Sequence, residues 1–314
     1  MRIIFTGSGE FGLPTLAALL AAGHRIVTVF TQPDRPAGRG RKISATPIAE
    51  FAGKHSLPCV RTENIASEEI PESDLMVVIA FGQKIPAALV DRPRFGSINL
   101  HASRLPKFRG AAPINWAILS GQSLTGNTII RVAPKMDAGA ILAQSSVAIE
   151  PLETAGELHD RLAQDGVGLI LRVVDDLEAG GAIETPQDES KATQAPKLSR
   201  KLSEIDWNDG AEQVAAKIRG LYPWPGCRAR LTDAAGGEVA RLTLVRARPT
   251  TGEGIRWRPG EIGSDGHISA ADGSQAVEVL EIQPEGGRPM PLAAYRRGNA
   301  WMPGMRLLPP KSET

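Results

Sequence analysis

The sequence predicts an open, mostly parallel α/β sheet with helices on both faces, followed by a small β-barrel. Three observations carry that expectation. Residues 2–31 run from a β-branched stretch through a glycine turn and a Leu/Ala-rich stretch to a second β-branched stretch, which is a βαβ unit. Residues 74–81 form a nearly continuous apolar run, as in a central strand covered on both faces. From Cys227 onward, short apolar runs alternate with glycine turns at regular spacing. A chain of 314 residues suits two domains at about 150 residues each.

Taken in order, residues 2–6 read as the first strand. Pro14 opens a helix to residue 22, Gly23 stands where a C-terminal cap belongs, and residues 25–31 form the second strand. Gly7, Gly9 and Gly12 match G-x-G-x-x-G between strand and helix, with Asp34 as the candidate for the acidic residue that should follow. A tight strand-to-helix turn uses the same glycines, so NAD binding and plain turn chemistry both stay open. Residues 31–42 read as a loop, because two prolines and two glycines exclude regular structure. Arg35, Arg39, Arg41 and Lys42 concentrate positive charge there, suited to phosphate or simply to solvent. Thr46 and Pro47 cap and start a helix to residue 55, and Pro86 starts a short one.

Residues 97–100 form the next strand, and its carboxyl end carries Asn99 and His101. Two residues apart on a strand, their side chains share a face. An amide and an imidazole side by side can hold a developing negative charge and handle a proton. A buried Asn–His pair closing a loop has the same spacing. Ligands of open α/β sheets bind outside the carboxyl ends of the strands, so residues 99–110 lie where a site belongs. Residues 127–132 are a strand, 134–139 a turn and 140–148 an extended continuation. Asp137 precedes Gly139 in that turn, as a turn-former or as a partner of His101. Thr154 begins a helix to residue 179, with Leu158, Leu162, Leu169 and Val173 on its core face.

Residues 180–201 are polar, with Pro186, Pro196, Lys191 and Lys197, and read as a linker. A helix over 211–221 is broken by Tyr222-Pro223-Trp224-Pro225-Gly226. Short strands follow at 227–232, 239–248, 260–264, 267–270 and 276–283. Arg228, Arg230, Arg241, Arg246, Arg248, Arg256 and Arg258 crowd this part and would make a phosphate-binding face if they shared one side. A net charge of +1 excludes a polycation, so any nucleic-acid contact must be local. Cys59 and Cys227 have no companions at metal or redox spacing, which fits a reducing compartment and no metal site. Without a signal-like or membrane-spanning run, a cytoplasmic protein is expected.

Asn99-x-His101-x-Ser103-x-Leu105-Pro106-x-x-Arg109-Gly110, followed by Asp137 before a glycine, resembles the signature of the 10-formyltetrahydrofolate-dependent formyltransferases. Residues 31–40 resemble the tRNA-contacting loop of the branch that formylates initiator methionyl-tRNA. Ile205-Asp206-Trp207, residues 222–225 and Pro259-Gly260-Glu261-Ile262 resemble its barrel domain. The resemblance implies a Rossmann-like catalytic domain over 1–184, a linker over 185–204 and an OB-like, tRNA-binding barrel over 205–314. It implies catalytic roles for Asn99, His101 and Asp137, folate contacts along Ser103, Arg104, Leu105 and Pro106, and tRNA contacts at Arg35, Arg39, Arg41 and Lys42. Arg104 stands where the family usually carries leucine, and Phe108 where Tyr or Trp is usual. The implied reaction uses 10-formyltetrahydrofolate as co-substrate and initiator methionyl-tRNA as acceptor, in translation initiation. A monomer is expected. The rival readings are a formyltransferase for a small amine, such as glycinamide ribonucleotide or an amino sugar, an NAD-dependent oxidoreductase, and a non-catalytic tRNA-binding protein. Removing the charge at Arg39 is expected to weaken tRNA binding and flatten its salt dependence while folate binding is unchanged; an unaltered salt slope would reduce the loop to a solvated segment.

Overall fold

A computed structural model describes residues 1–37, 42–250, 257–271 and 275–310. One compact unit comprises residues 1–113, 125–147 and 159–195, and a second comprises 114–124, 148–158 and 196–314.

Among the described residues, the first unit is built on a seven-stranded sheet. β1 (Arg2–Gly7), β2 (Arg25–Thr31), β3 (Cys59–Arg61), β4 (Leu75–Ile79) and β5 (Ser97–His101) run parallel. β6 (Thr128–Arg131) pairs antiparallel with β5, and β7 (Ile141–Gln144) antiparallel with β6. The order across the sheet is β7-β6-β5-β4-β1-β2-β3. The chain builds outward from β1 to β3, then returns to lay β4 on the free edge of β1. That reversal leaves a crevice beyond the carboxyl ends of β1 and β4. Ile3, Ile4, Phe5, Leu75, Met76, Val77 and Ile79 are fully buried, so both faces of the central strands are covered, as their unbroken apolar pattern requires.

The expected helices are present as α1 (Leu13–Ala21), α2 (Pro47–Lys54) and the short α3 (Ala87–Val90). Thr46 caps α2 by accepting the Ala49 N–H at 3.1 Å. α4 (Pro113–Leu119) follows β5. α5 (Ala155–Glu178) buries Leu158, Leu162, Leu169 and Val173, the face its periodicity marks. Its Gly166 has a packing reason. A Cβ there would meet the Leu100 side chain at 2.7 Å, so the missing side chain lets the helix close onto β5.

Two expectations about irregular stretches are corrected. Residues 31–42 are not wholly irregular: Arg35–Ala37 pairs antiparallel with Lys42–Ser44, with Pro36 opposite Ile43. A proline is tolerated there because a two-stranded ribbon leaves every residue at an edge. Residues 140–148 are two strands, β7 and Val147–Ala148, rather than one continuous extension.

The second unit pairs β8 (Cys227–Thr232), β9 (Glu238–Thr250), β10 (Ile268–Ala270), β11 (Gln275–Pro284) and β12 (Arg306–Leu308) antiparallel in the order β10-β11-β9-β8-β12. α6 (Ala211–Gly220) packs on β9 and β11, burying Val214, Ala215 and Ile218. The strand expected at 260–264 is instead a pair of single-residue bridges. Glu261 pairs with Arg306 of β12, and Ile262 with Ile268 of β10. One short segment thus joins the two edges of the curled sheet and closes it into a barrel. Gly260 sits in it at φ +79°, where a Cβ would meet the Leu307 carbonyl at 2.7 Å. The conjectured basic face is largely neutralised. Arg230 and Arg241 pair with Glu238, Arg246 with Glu157 and Glu281, and Arg248 with Glu278. Neither the Arg228 nor the Arg258 guanidinium pairs with a carboxylate among the described residues, although the Arg258 backbone N–H donates to Glu261 at 3.3 Å, and Arg256 lies outside them.

The second unit also holds residues 148–158, where Thr154 and Glu157 form a capping box. The Thr154 N–H donates to Glu157 at 2.8 Å and the Glu157 N–H to Thr154 Oγ1 at 3.4 Å. The Arg246 guanidinium, with the Thr154 N–H and hydroxyl, holds the Glu157 carboxyl down to about 2 against the opposing effect of burial. A depressed carboxylate stabilises the fold above its unfolded value of 4.5, and that contribution is lost as pH falls through about 2. The side chain is half exposed, so Glu157→Gln is expected to cost about 1 kcal/mol at pH 6. Denaturant unfolding of both proteins at pH 6 and pH 2 checks this: the difference should shrink to a small fraction at the lower pH.

Candidate active site

β5 lies between β4 and β6, with Asn99 opposite Val78 and Ile130 and His101 opposite Thr128. Asn99 is half-buried, and its amide has no hydrogen-bond partner among the described residues. His101 is buried. Its Nε2 lies 2.9 Å from the Phe108 carbonyl oxygen. A carbonyl can only accept, so Nε2 carries a hydrogen and Nδ1 is the edge left to gain or lose a proton. That edge faces Asp137, with Nδ1 3.7 Å from Oδ2, an ion-pair distance rather than a hydrogen bond. The same oxygen accepts the Gly110 N–H at 2.8 Å. Asp137 therefore faces His101, and it is a turn residue as well, at φ +52°. Aspartate tolerates that left-handed conformation better than most residues, at a cost of about 1–2 kcal/mol.

The loop after β5 is held by buried polar groups. The Ser103 hydroxyl donates to the Lys107 carbonyl at 2.7 Å. Thr128 Oγ1 donates to the Ser103 carbonyl at 2.6 Å and accepts the Leu105 N–H at 3.0 Å. Gln144 Nε2 donates to Thr128 Oγ1 and to the Leu105 carbonyl, at 2.8 and 3.0 Å. Of the four residues expected along the folate, Ser103 and Leu105 are thus buried in the frame of the loop, whereas Arg104 is exposed and Pro106 half-buried. Phe108 takes a left-handed φ of +62°, its carbonyl on His101 and its N–H on Thr193 Oγ1 at 2.8 Å.

Residues 187–195 supply groups that motif reasoning did not find. Arg109 is 2% exposed, and its guanidinium forks onto Gln187 and Glu189. Hydrogen bonds from Arg109 and Lys135 hold the Glu189 carboxyl down to about 2. Gln194–Ala195 pairs parallel with Arg109–Gly110, and a Cβ on Gly110 would meet the Ala195 carbonyl at 2.6 Å. The signal for this segment was faint: glutamine and threonine inside a polar stretch of linker composition.

The glycine fingerprint is explained by packing. A Cβ on Gly7 would meet the Ile79 carbonyl at 2.6 Å, and one on Gly12 the Phe5 ring at 3.1 Å, whereas Gly9 faces open space. Ser8 Oγ accepts the Gln32 N–H at 3.1 Å and donates to the Phe81 carbonyl, and Asp34 is taken by Arg61 at 2.7 Å. Only the Oδ2 atom of Asp34 is engaged by Arg61; its buried Oδ1 has no partner among the described residues. Of the expected cations, Arg35 is exposed and donates to Gln32 at 2.9 Å, and Lys42 is exposed; Arg39 and Arg41 lie outside the described residues.

A family model described as formyl transferase matches residues 1–174, and one described as formyl transferase, C-terminal domain, matches 197–300. The chain is 39% identical to a methionyl-tRNA formyltransferase of Moorella thermoacetica, over 97% of this chain and 98% of that one. It is 40% identical to the methionyl-tRNA formyltransferase of Halorhodospira halophila, over 96% and 98%. Among solved structures, an N-formyltransferase from Helicobacter canadensis in complex with folinic acid and dTDP-3-aminofucose superposes with a TM-score of 0.67 at 14% identity, covering 89% of this chain and 98% of that one. HypX from Aquifex aeolicus in complex with tetrahydrofolic acid gives 0.60 at 20% identity, covering 94% and 46%. At those identities the two structures share the fold.

Proposed function

Because this chain belongs to the formyl transferase family, we propose that it moves the formyl group of 10-formyltetrahydrofolate onto the α-amine of methionine esterified to initiator tRNA. The observation that carries the reaction is a His101 whose Nε2–H is held by Phe108 while Nδ1 faces Asp137 at 3.7 Å, with Asn99 two residues earlier on the same strand and its amide without a partner among the described residues. The acceptor draws its support from relatives of that name, matched over nearly their whole lengths.

In this reading the amine nitrogen attacks the formyl carbon, forming the new C–N bond and placing negative charge on the former carbonyl oxygen. The Asn99 amide N–H donates to that oxygen. His101 donates from Nδ1, because its Nε2–H is already spent on Phe108. The Asp137 carboxylate, 3.7 Å from Nδ1, takes the amine proton, directly or through water. The bond from carbon to N10 then breaks, N10 leaves with a proton, and the products are formylmethionyl-tRNA and tetrahydrofolate. Arg104 and Pro106 present surface toward the folate, on a loop held by Ser103 and Leu105. The charged ribbon around Arg35 and Lys42 and the barrel grip the acceptor arm through phosphates and shape. In this reading the enzyme works in the cytoplasm, where its tRNA acceptor is used.

Incubating the protein with 10-formyltetrahydrofolate and charged initiator tRNA should yield formylmethionine on the tRNA. Formylation of free methionine or a small amine at the same rate would sink the tRNA assignment. Asn99→Ala and His101→Ala should each lower kcat by roughly 10²–10³ while KM moves little. Near-normal kcat in either folded variant removes that residue from the catalytic set.

A further inference from the structure

The mechanism above uses the Asp137 side chain, yet nothing in it explains why that carboxylate stays aimed at His101. The turn carrying it is pinned on one side by close packing. A Cβ on Gly139 would lie 1.8 Å from the Arg131 carbonyl, so β6 leaves room for backbone only. On the other side stands Gln187. Its Nε2 donates to the Asp137 carbonyl at 2.9 Å and to the Gly139 carbonyl at 2.8 Å. Its Oε1 accepts from Arg109 Nε and Nη2 at 3.1 and 2.7 Å. One amide orientation satisfies all four bonds, because carbonyls only accept and a guanidinium only donates. Arg109 is held in turn by Glu189, and Gly110, the next residue in the chain, supplies the N–H on the Asp137 carboxylate. Gln187 therefore ties together the backbone of the residue that bears the carboxylate and the strand that bears its hydrogen-bond donor.

We propose that Gln187 is a positioning residue of this site: it fixes the left-handed turn at Asp137 and, through Arg109, the approach of the Gly110 N–H, and so sets the carboxylate against the His101 Nδ1 edge. The inference rests on the reading of Asp137 as a reacting group. Gln187→Glu is the informative change. It keeps the length of the side chain and an acceptor for Arg109, but sets a carboxylate oxygen against two carbonyls. Gln187→Met, which keeps the length without polar atoms, is the companion variant.

The test is single-turnover formyl transfer by the full chain, with 10-formyltetrahydrofolate and charged initiator tRNA, in wild type, both Gln187 variants, Asp137→Asn, and Asp137→Asn combined with each. Each Gln187 variant should lower the chemical rate about 10²-fold, the scale of a small misplacement of a reacting group, with saturation by both substrates within a few-fold of wild type. In the Asp137→Asn background the same changes should cost less than threefold, because the group they act through is gone. An equal cost in both backgrounds, or a loss confined to substrate saturation, overturns the positioning role. A wild-type rate in both Gln187 variants also overturns it. If Asp137→Asn alone retains the wild-type rate, the reading of Asp137 falls, and the proposal falls with it; that result is separate from anything the Gln187 variants show.

Discussion

A single buried hydroxyl holds the irregular path that the chain takes out of β5. Thr128 Oγ1 gives its proton to the Ser103 carbonyl and receives the Leu105 N–H and the Gln144 amide, with no exposure to solvent. Without it the loop would bury a carbonyl and an amide without partners, at about 1–3 kcal/mol for each. With it, residues 103–108 reach Phe108, whose carbonyl settles which nitrogen of His101 bears the fixed hydrogen. The tautomer of the imidazole is thus decided two hydrogen-bonding steps away, by a strand of opposite direction. This gives the antiparallel pair β6 and β7 a purpose that a purely parallel sheet would not serve: Thr128 and Gln144 both reach the loop from that side.

The site is built by converging three frames, each rigid for a different reason. The end of β5 is fixed by ladder hydrogen bonds on both sides. The Asp137 turn is fixed by contact too close for any side chain at Gly139. Residues 187–195 are fixed by the buried Arg109 fork and by pairing with Arg109–Gly110. None of these requires a large apolar surface, which suits a site that must keep polar groups open. The barrel unit solves a different problem, joining two sheet edges through the bridges at Glu261 and Ile262, so that a small antiparallel sheet leaves fewer backbone groups unpaired.

Much of this was legible in the residues. The central strands and α5 follow directly from apolar patterning, because burial on two faces or on one stripe leaves a periodic mark. The spacing of Asn99 and His101 on one strand singled that pair out, the family motif added Asp137, and the structure brings His101 and Asp137 to an ion-pair distance. What was not legible depends on contacts between distant segments. Gln187 and Thr193 carry no periodicity, and a polar stretch that docks through hydrogen bonds has the composition of one that does not. The glycine fingerprint misled for the opposite reason: close backbone packing against Ile79 and Phe5 selects the same residue as a dinucleotide turn. Three-residue strands such as β3 and β12 are too short to show an alternation. The arginines of the barrel were countable, but their pairing with glutamates depends on strand register.

The Arg109 fork also bears on the order in which the molecule is assembled. Arg109 meets Gln187 and Glu189 across separations of 78 and 80 residues, and Phe108 meets Thr193 across 85. Contacts of that span close late, because the chain entropy of a long loop must be overcome before they reward it. During synthesis from the N-terminus, all five parallel strands, His101 and Asp137 emerge while the segment that braces them is still unmade. A nascent chain therefore holds His101 and Asp137 in this arrangement only after residue 195 has been added and docked. Until then it carries the parts of an enzyme without their alignment.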